Sequence, residues 1–223
     1  MATALAFTIG APALAQDSLV PAQGLAPYFV PATSAPKAPD EDGFLQRWLL
    51  LEPVVKPNRS NSGFTATYVR QAFATYYFPG QLIAVPRDGE TIKAATPLKW
   101  HALDSTGFDV KLFNFAQGLG KPTYGVIFWA VTIVDSPREI RNVRLAVGSN
   151  SASMWWLNGK EVAGLFGDRR MVMDDALSMP LTLRKGRNVI RGAIINGPGL
   201  SDFCVRFVDA AAQPVRHIAL VTR

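Results

Sequence analysis

Two adjacent tryptophans and a charged loop that follows them are the residues best suited to bind a ligand. Trp155 and Trp156 lie in a short apolar run, and neighbouring residues of a strand point to opposite faces of a sheet. One indole can therefore face solvent and stack on a sugar ring. Planar polar groups that could read sugar hydroxyls follow in two loops, at Arg169, Arg170, Asp174, Asp175 and Asn196. All seven residues are predicted to bind ligand, and packing of both tryptophans in a core is the open alternative.

Residues that could hydrolyse an ester are present without the motif that usually places them. A serine triad needs a nucleophile, a histidine base and an acid, yet the sequence contains no Gly-x-Ser-x-Gly turn. No residue is therefore predicted to be catalytic. A carbohydrate esterase or glycosidase remains an alternative, assembled in space from Ser149, Ser151, His101 and Asp174 or Asp175.

The acidic residues of the same loop could instead hold a structural Ca²⁺. Asp168, Asp174 and Asp175 offer carboxylate oxygens, which calcium prefers. A solvated loop in which the two neighbouring arginines pair with these acids is the favoured interpretation. Two histidines and one cysteine, Cys204, are too few for a His/Cys zinc site, so no other cofactor is expected.

Composition predicts a globular protein, and the N-terminal residues predict that it is exported. The chain has 223 residues, of which 48% are hydrophobic and 18% charged, enough for one sizeable core. The net charge of +6 is spread along the chain, so nucleic acid is not an expected partner. Residues 1–15 resemble a secretory signal peptide without a basic start, and no later apolar run could span a membrane. We expect a periplasmic or secreted protein whose partner is a polysaccharide or oligosaccharide, with a glycan-active enzyme as a further candidate partner.

The elements that would position these residues are mostly strands. Alternation over 143–147 and 203–207 predicts strands with one buried face, and Asn158-Gly159 predicts a hairpin. Further strands are predicted at 44–51, 98–103, 108–115 and 124–134. Apolar residues at helical spacing over 64–77 predict a helix lying on the sheets. The Pro-rich residues 16–42 are predicted to form a linker or arm before a single domain, 43–223.

Three short motifs resemble a known family. They are Trp48-Leu-Leu-Leu-Glu-Pro53, Trp156-Leu-Asn-Gly-Lys160 and Leu183-Arg-Lys-Gly-Arg-Asn188. They are similar to the first strand, the hairpin and the later turn of galactose-binding-like jelly rolls. The resemblance implies a mostly β, antiparallel jelly-roll β-sandwich with one or two short helices. It also implies a carbohydrate-binding or accessory role beside glycan-active enzymes such as acetylxylan esterases. A structural module that docks another protein through an exposed tryptophan is the third hypothesis.

Overall fold

Fourteen strands and two α-helices form the described part of this computed structural model, residues 24–58 and 60–223. The first strands are β1 (Phe29–Pro31), β2 (Arg47–Leu51), β3 (Val54–Val55), β4 (Thr91–Ile92), β5 (Leu98–Ser105), β6 (Val126–Ser136) and β7 (Ile140–Ser149). The others are β8 (Ala152–Leu157), β9 (Lys160–Leu165), β10 (Ala176–Leu177), β11 (Leu181–Leu183), β12 (Gly186–Asn196), β13 (Phe203–Val208) and β14 (Ala219–Val221). The helices are α1 (Ala66–Ala74) and α2 (Leu112–Gly118). The predicted signal peptide lies outside the described residues.

Two antiparallel sheets face each other. The larger has ten strands in the order β1-β5-β2-β6-β12-β8-β9, with β3 and β14 also paired to β6 and β4 paired to β5. The smaller has the order β10-β7-β11, with β13 also paired to β7. The prediction of a mostly β, antiparallel sandwich with two short helices is therefore confirmed.

Strand β6 lies at the centre of the larger sheet and is buried on both faces. Phe128 and its even-numbered neighbours contact the smaller sheet, whereas Trp129 and its odd-numbered neighbours point away from it. The side of the larger sheet that points away from the smaller sheet is called the outer face below. Helix α1 covers part of the outer face, so a second core lies there. Burial on both faces explains why β6 reads as a nearly continuous apolar run.

Helix α1 forms where helical spacing predicts it, although it is shorter than the predicted range. Thr65 is its N-cap, with a hydroxyl that accepts a hydrogen bond from the backbone N–H of Tyr68 at 3.3 Å. Val69, Ala72 and Phe73 are buried against the outer face. This i, i+3, i+4 pattern orients the helix.

The prediction of a strand at 108–115 is wrong. Only Val110 pairs there, in an isolated bridge to Phe203, and α2 begins at Leu112. Leu112, Phe115 and Ala116 are all fully buried, which gives the helical spacing i, i+3, i+4. The alternating letters of this segment also contain that spacing, and packing against the core selected the helix.

Part of the predicted Pro-rich arm belongs to the larger sheet. Strand β1 pairs with β5, and the side chains of Leu25 and Phe29 are only 3% and 4% exposed. Pro31 is tolerated because β1 is an edge strand, where a missing N–H breaks no ladder. The folded unit therefore begins well before residue 43.

The Asn158-Gly159 hairpin forms as predicted between β8 and β9. Both residues have positive φ, 52° and 83°, as a type I′ turn requires. None of the helices in the described part of the chain has the length and apolarity needed to cross a membrane.

Candidate functional site

Trp155 is completely buried between the two sheets. Its ring lies edge-on to Trp48 and Phe203, with centroid distances of 6.1 and 5.0 Å. Its indole N–H donates to the hydroxyl of Ser153 at 3.0 Å. With no exposed surface, Trp155 offers no face to a sugar.

Trp156 lies on the outer face, where it packs into the second core. It stacks on Trp129 at a centroid distance of 6.2 Å and meets Phe73 of α1 edge-on at 6.5 Å. The residue is half-buried. The two tryptophans thus point to opposite faces as expected, but helix α1 covers the second one, so the structure matches the alternative in which both belong to cores.

The two predicted binding loops do meet, through a residue that the sequence did not single out. The amide nitrogen of Asn61 donates to Asp168 at 3.1 Å and to the carbonyl of Pro198 at 2.8 Å. Its amide oxygen accepts from the backbone N–H of Gly197 at 3.1 Å. Asn61 therefore ties the loops at 166–175 and 196–202 to the loop before α1.

Most polar residues of these loops are engaged with protein partners. Asp175 pairs with Arg169, and Asp174 forms a bidentate pair with the guanidinium of Arg206 on β13. Arg170 is exposed. Asn196 is fully buried, and its amide donates to the carbonyls of Thr123 and Gly199 at 3.0 and 3.1 Å. Asn196 therefore shapes the loop and does not face solvent.

The three aspartates considered for calcium do not converge. Asp168 accepts from Asn61, while Asp174 and Asp175 face different arginines. Across residues 24–58 and 60–223, no group of three or more His, Cys, Asp or Glu side chains is placed to hold a metal ion. Of the two arginines expected to pair with these acids, Arg169 pairs with Asp175, whereas Arg170 is exposed and Arg206 of β13 takes its place beside Asp174.

The residues of the esterase alternative are not assembled. The hydroxyls of Ser149 and Ser151 are buried and donate to the backbone carbonyls of Ser151 and Ile195. The imidazole of His101 lies 3.4 Å from the carboxylate of Glu52, and burial lowers the pKa of His101. No hydroxyl nucleophile contacts this histidine among the described residues, so the geometry provides no triad.

A concave site of another kind lies on the outer face of the larger sheet. This opening, called the arginine cleft below, has a volume of about 650 Å³ and lies between the segment after β1, the segment before β4 and the end of β14. Its lining consists of Ala32, Thr33, Ser34, Val85, Pro86, Arg87, Asp88, Ala102, Arg187, Thr222 and Arg223. The volume is ordinary for a site that binds a small molecule.

Hydroxyl and guanidinium groups dominate the arginine cleft. Arg87 and Arg187 line it without forming an ion pair to any described residue. Asp135 lies opposite Arg187 in the β6–β12 register, and no ion pair joins them. The carboxylate of Asp88 accepts the backbone N–H of Ala102 at 2.8 Å, which anchors the loop at 85–88 to β5. No aromatic residue of the described part of the chain lines the cleft.

The sequence contained one signal for these residues. Arg187, Val189 and Arg191 alternate along β12 and therefore share the outer face. Such a strand is unusual because two of its five outward positions are charged although α1 and nearby segments cover much of that face. The remaining lining residues come from distant segments, and no local pattern connects them.

No protein-family model matches this chain, and no curated protein matches its sequence. The resemblance to galactose-binding-like jelly rolls is therefore not confirmed by a family model. A PA14 sugar-binding domain from an RTX adhesin aligns with 78% of this chain and 96% of its own length, at 10% identity and a TM-score of 0.40. The PA14 domain of the antifreeze protein MpAFP aligns with 85% and 96%, at 12% identity and a TM-score of 0.39.

A beta-glucuronidase from Ruminococcus gnavus is also similar. It aligns with 88% of this chain but 40% of its own length, at 12% identity and a TM-score of 0.38. These solved structures share a general likeness with the chain. At such identities and TM-scores, the likeness assigns no function to it.

Proposed function

We propose that this protein is a non-catalytic carbohydrate-binding module and that the arginine cleft is its binding site. The observation that carries the proposal is an open cleft of about 650 Å³ lined by hydroxyls and unpaired guanidinium groups. We also propose that the protein is exported to the periplasm or the cell exterior and that it acts as part of a polysaccharide-degrading system.

Sugar hydroxyls both donate and accept hydrogen bonds, so a sugar site needs both kinds of partner at fixed positions. Thr33, Ser34 and Thr222 supply hydroxyls, and Arg87 supplies a planar set of donors. Asp88 is held by β5 through one carboxylate oxygen, which leaves lone pairs for a sugar hydroxyl. We expect hydrogen bonds to dominate binding in this cleft, because no described residue of its lining offers an aromatic ring for stacking.

A glycan array followed by calorimetry on the hits tests this function. For a neutral oligosaccharide hit, Arg87→Ala and Thr222→Val should each weaken binding about 5-fold to 10-fold, the loss of one hydrogen bond or charge-assisted bond. Arg170→Ala in the loop at 166–175 is the matched control and should leave affinity unchanged. Loss of binding in Arg170→Ala alone would move the site to that loop and overturn the assignment to the cleft.

A specific observation also supports protein docking as a second candidate function. Tyr76 and Ile83 are 73% and 81% exposed, and Leu82 and Val85 lie near them in sequence at 39% and 38%. Apolar side chains exposed together mark interaction surfaces more often than single ones do. Tyr76→Asp, at a residue that lines neither concave site, should then abolish capture of a co-secreted glycan-active enzyme while glycan binding at the cleft is retained.

A further inference from the structure

A second, smaller cavity lies on the outer face, beside the segment at 82–83. Its volume is about 250 Å³, and it is lined by Leu82, Ile83, Asn158, Gly159, Arg184, Val189 and Arg191. No acidic residue is among them. This cavity is called the Arg191 cavity below.

Two turns from the motifs of the family resemblance, at 156–160 and 183–188, build one wall of this cavity. The side-chain amide of Asn158, in the β8–β9 hairpin, donates to the amide oxygen of Asn188 at 3.1 Å. Asn188 also accepts from the backbone N–H of Arg184 at 3.0 Å and donates to its carbonyl at 2.8 Å. The backbone N–H of Val189 donates to Asn158 at 2.9 Å. These bonds fix the backbone that carries Arg184 at the rim of the cavity.

Arg191 has a buried guanidinium without a carboxylate partner. The residue is 3% exposed, and its Nη2 donates to the backbone carbonyl of Ala84. No other hydrogen bond or ion pair of this guanidinium is formed with a described residue. Burial alone lowers the pKa of Arg191 to about 10, so the side chain remains a cation at neutral pH. Its other four donors are therefore left for a partner that enters the cavity.

Charge compensation is the physical reason to expect such a partner. A buried ion without a counter-ion costs several kcal/mol, and buried charges in proteins are usually paired or bound to ions. Glu161, on β9 beyond β8, is already paired with Arg70 of α1. No carboxylate of a described residue forms an ion pair with Arg191, so the countercharge is left to a ligand. Arg184 is exposed and forms no ion pair with a described residue, so it adds a second cation at the rim.

We propose that the Arg191 cavity binds an oxyanion of the carboxylate or sulfate type, with Arg191 at its base and Arg184 at its rim. A guanidinium matches such groups through two parallel hydrogen bonds. The cavity and the arginine cleft lie side by side, because Arg187 lines the cleft while Val189 and Arg191, further along the same face of β12, line the cavity. The oxyanion is accordingly the acidic substituent of a glycan held in the cleft, and this assignment rests on the proposed function.

Titration of the full chain with glucuronate, inorganic sulfate and glucose tests the proposal at constant ionic strength. Arginine Nε–H resonances in ¹H–¹⁵N spectra report the contact directly. Glucuronate and sulfate should shift the Arg191 resonance, and glucose should not. Arg191→Gln should weaken glucuronate binding about 10-fold or more, and Arg184→Gln about 3-fold, because a buried charge-assisted bond is worth more than an exposed one.

Arg170→Gln removes the same charge far along the chain, in the loop at 166–175, and should leave the affinity for glucuronate unchanged. An Arg191 resonance that moves with no anion, or an equal loss in Arg170→Gln and Arg191→Gln, would overturn the proposal. If Arg191→Gln does not fold, the Arg191 resonance in the unaltered chain and the Arg184→Gln affinity decide the question.

The ligands compared in this experiment also identify the source of the anion. They distinguish the oxyanion site in the Arg191 cavity from the proposed function of the arginine cleft. A response to sulfate without one to glucuronate would support the oxyanion site and overturn its assignment to an acidic sugar. Glucuronate binding that survives Arg87→Ala, in a chain that binds no neutral oligosaccharide, would retain the Arg191 cavity and reject the proposed cleft function. Binding of a neutral oligosaccharide without any response to an anion would retain the proposed cleft function and reject the oxyanion site.

Discussion

At the scale of single residues, a close packing contact in the core joins Trp155 to a glycine on the neighbouring strand. Gly192 lies opposite Trp155 in the β8–β12 register, and a Cβ built on it would lie 2.4 Å from Cζ3 of the indole. Both atoms are rigidly placed, since the indole is enclosed by Trp48 and Phe203. The glycine is needed for space between strands, and its φ is not in the left-handed region.

Gly192→Ala should therefore destabilise the protein by about 1–3 kcal/mol through overpacking. Urea unfolding followed by tryptophan fluorescence measures the change. Gly63→Ala is the control, because a Cβ on Gly63 meets no atom within 4 Å, and its effect should stay within about 0.5 kcal/mol. Adding Trp155→Phe to Gly192→Ala should recover part of the loss. Additive effects in the double variant would contradict the proposed clash.

His101 gives the protein a pH-dependent component of stability. Burial lowers its pKa below the unfolded value of about 6.5, and this outweighs the opposite effect of the nearby Glu52 carboxylate. Between the folded-state pKa and about 6.5, the unfolded chain binds the proton more readily. Stability is then lost as pH falls through that interval.

Urea unfolding at pH 7.5 and pH 5.5 should show the unaltered chain to be more stable at the higher pH. His101→Gln should reduce this difference, because glutamine removes the titrating group. Lys99, Asp88 and Glu52 lie near the imidazole, and Lys121 pairs with Glu52. His217→Gln, at an exposed residue, is the control for the replacement of a histidine by glutamine. If His101→Gln keeps the full difference in unfolding free energy between pH 7.5 and pH 5.5, other groups cause that difference.

At the scale of elements, α2 is held to β13 by an ammonium between two carboxylates. Lys111, the N-cap residue of α2, lies 2.6 Å from Asp109 and 3.4 Å from Asp202. Asp202 is 2% exposed, and burial raises the pKa of its carboxyl despite the nearby lysine. The lysine therefore compensates two carboxylates that the fold brings together at the start of this helix.

Lys111→Met should destabilise the protein by about 1–3 kcal/mol at pH 7.5, since it leaves buried carboxylates without their cation; the partial exposure of Lys111 limits the effect. At pH 4.5 the cost should be smaller, because a carboxyl with a raised pKa takes up a proton and becomes neutral. Denaturant unfolding at both values measures this. Lys160→Met, at an exposed residue, is the control. An equal cost at both values would exclude Asp202 as the group responsible.

The elements also show how far sequence patterns predict this fold. The Asn158-Gly159 hairpin and the α1 helix were predictable, because positive φ and an apolar stripe are local properties. Helix α2 was not, since its segment alternates and also has helical spacing, and only the surrounding core decides between them. The exposure of Trp156 depended in the same way on α1, which lies more than eighty residues earlier in the chain.

At the scale of the whole molecule, the candidate sites were the least predictable feature. The arginine cleft combines Thr33, Arg87, Arg187 and Thr222, which are joined only by the pairing of β1, β5, β12 and β14 within one sheet. Sequence spacing carries no information about such a set. The loops that the sequence favoured do meet at Asn61, but Arg169 pairs there with Asp175, and Arg206 of β13 pairs with Asp174.

Residues 24–36 are an integral part of the folded unit. The side chains of Leu25 and Phe29 are buried in the main core, and the segment also receives a hydrogen bond from the guanidinium of Arg47 at the carbonyl of Ala35, 2.5 Å away. The same guanidinium forms a bidentate pair with Asp104 of β5, at 2.8 and 3.0 Å. The N-terminal segment is thereby fastened to two strands of the larger sheet.

A chain that begins at Lys37 should consequently be less stable than one that begins at Gly24 by at least about 3 kcal/mol. Burial of Leu25 and Phe29 alone accounts for about 1.5–3 kcal/mol each. Comparing these two chains isolates residues 24–36, and thermal and urea unfolding give the difference. Phe29→Ala in the chain from Gly24 should cost about 3–5 kcal/mol, whereas Val30→Ala, at the next and half-exposed residue, should cost less than about 0.5 kcal/mol. Equal stability of the two chains would return the start of the domain to residue 43. If the shorter chain stays folded, it should still lose neutral glycan binding, because Thr33 and Ser34 leave the arginine cleft with the segment.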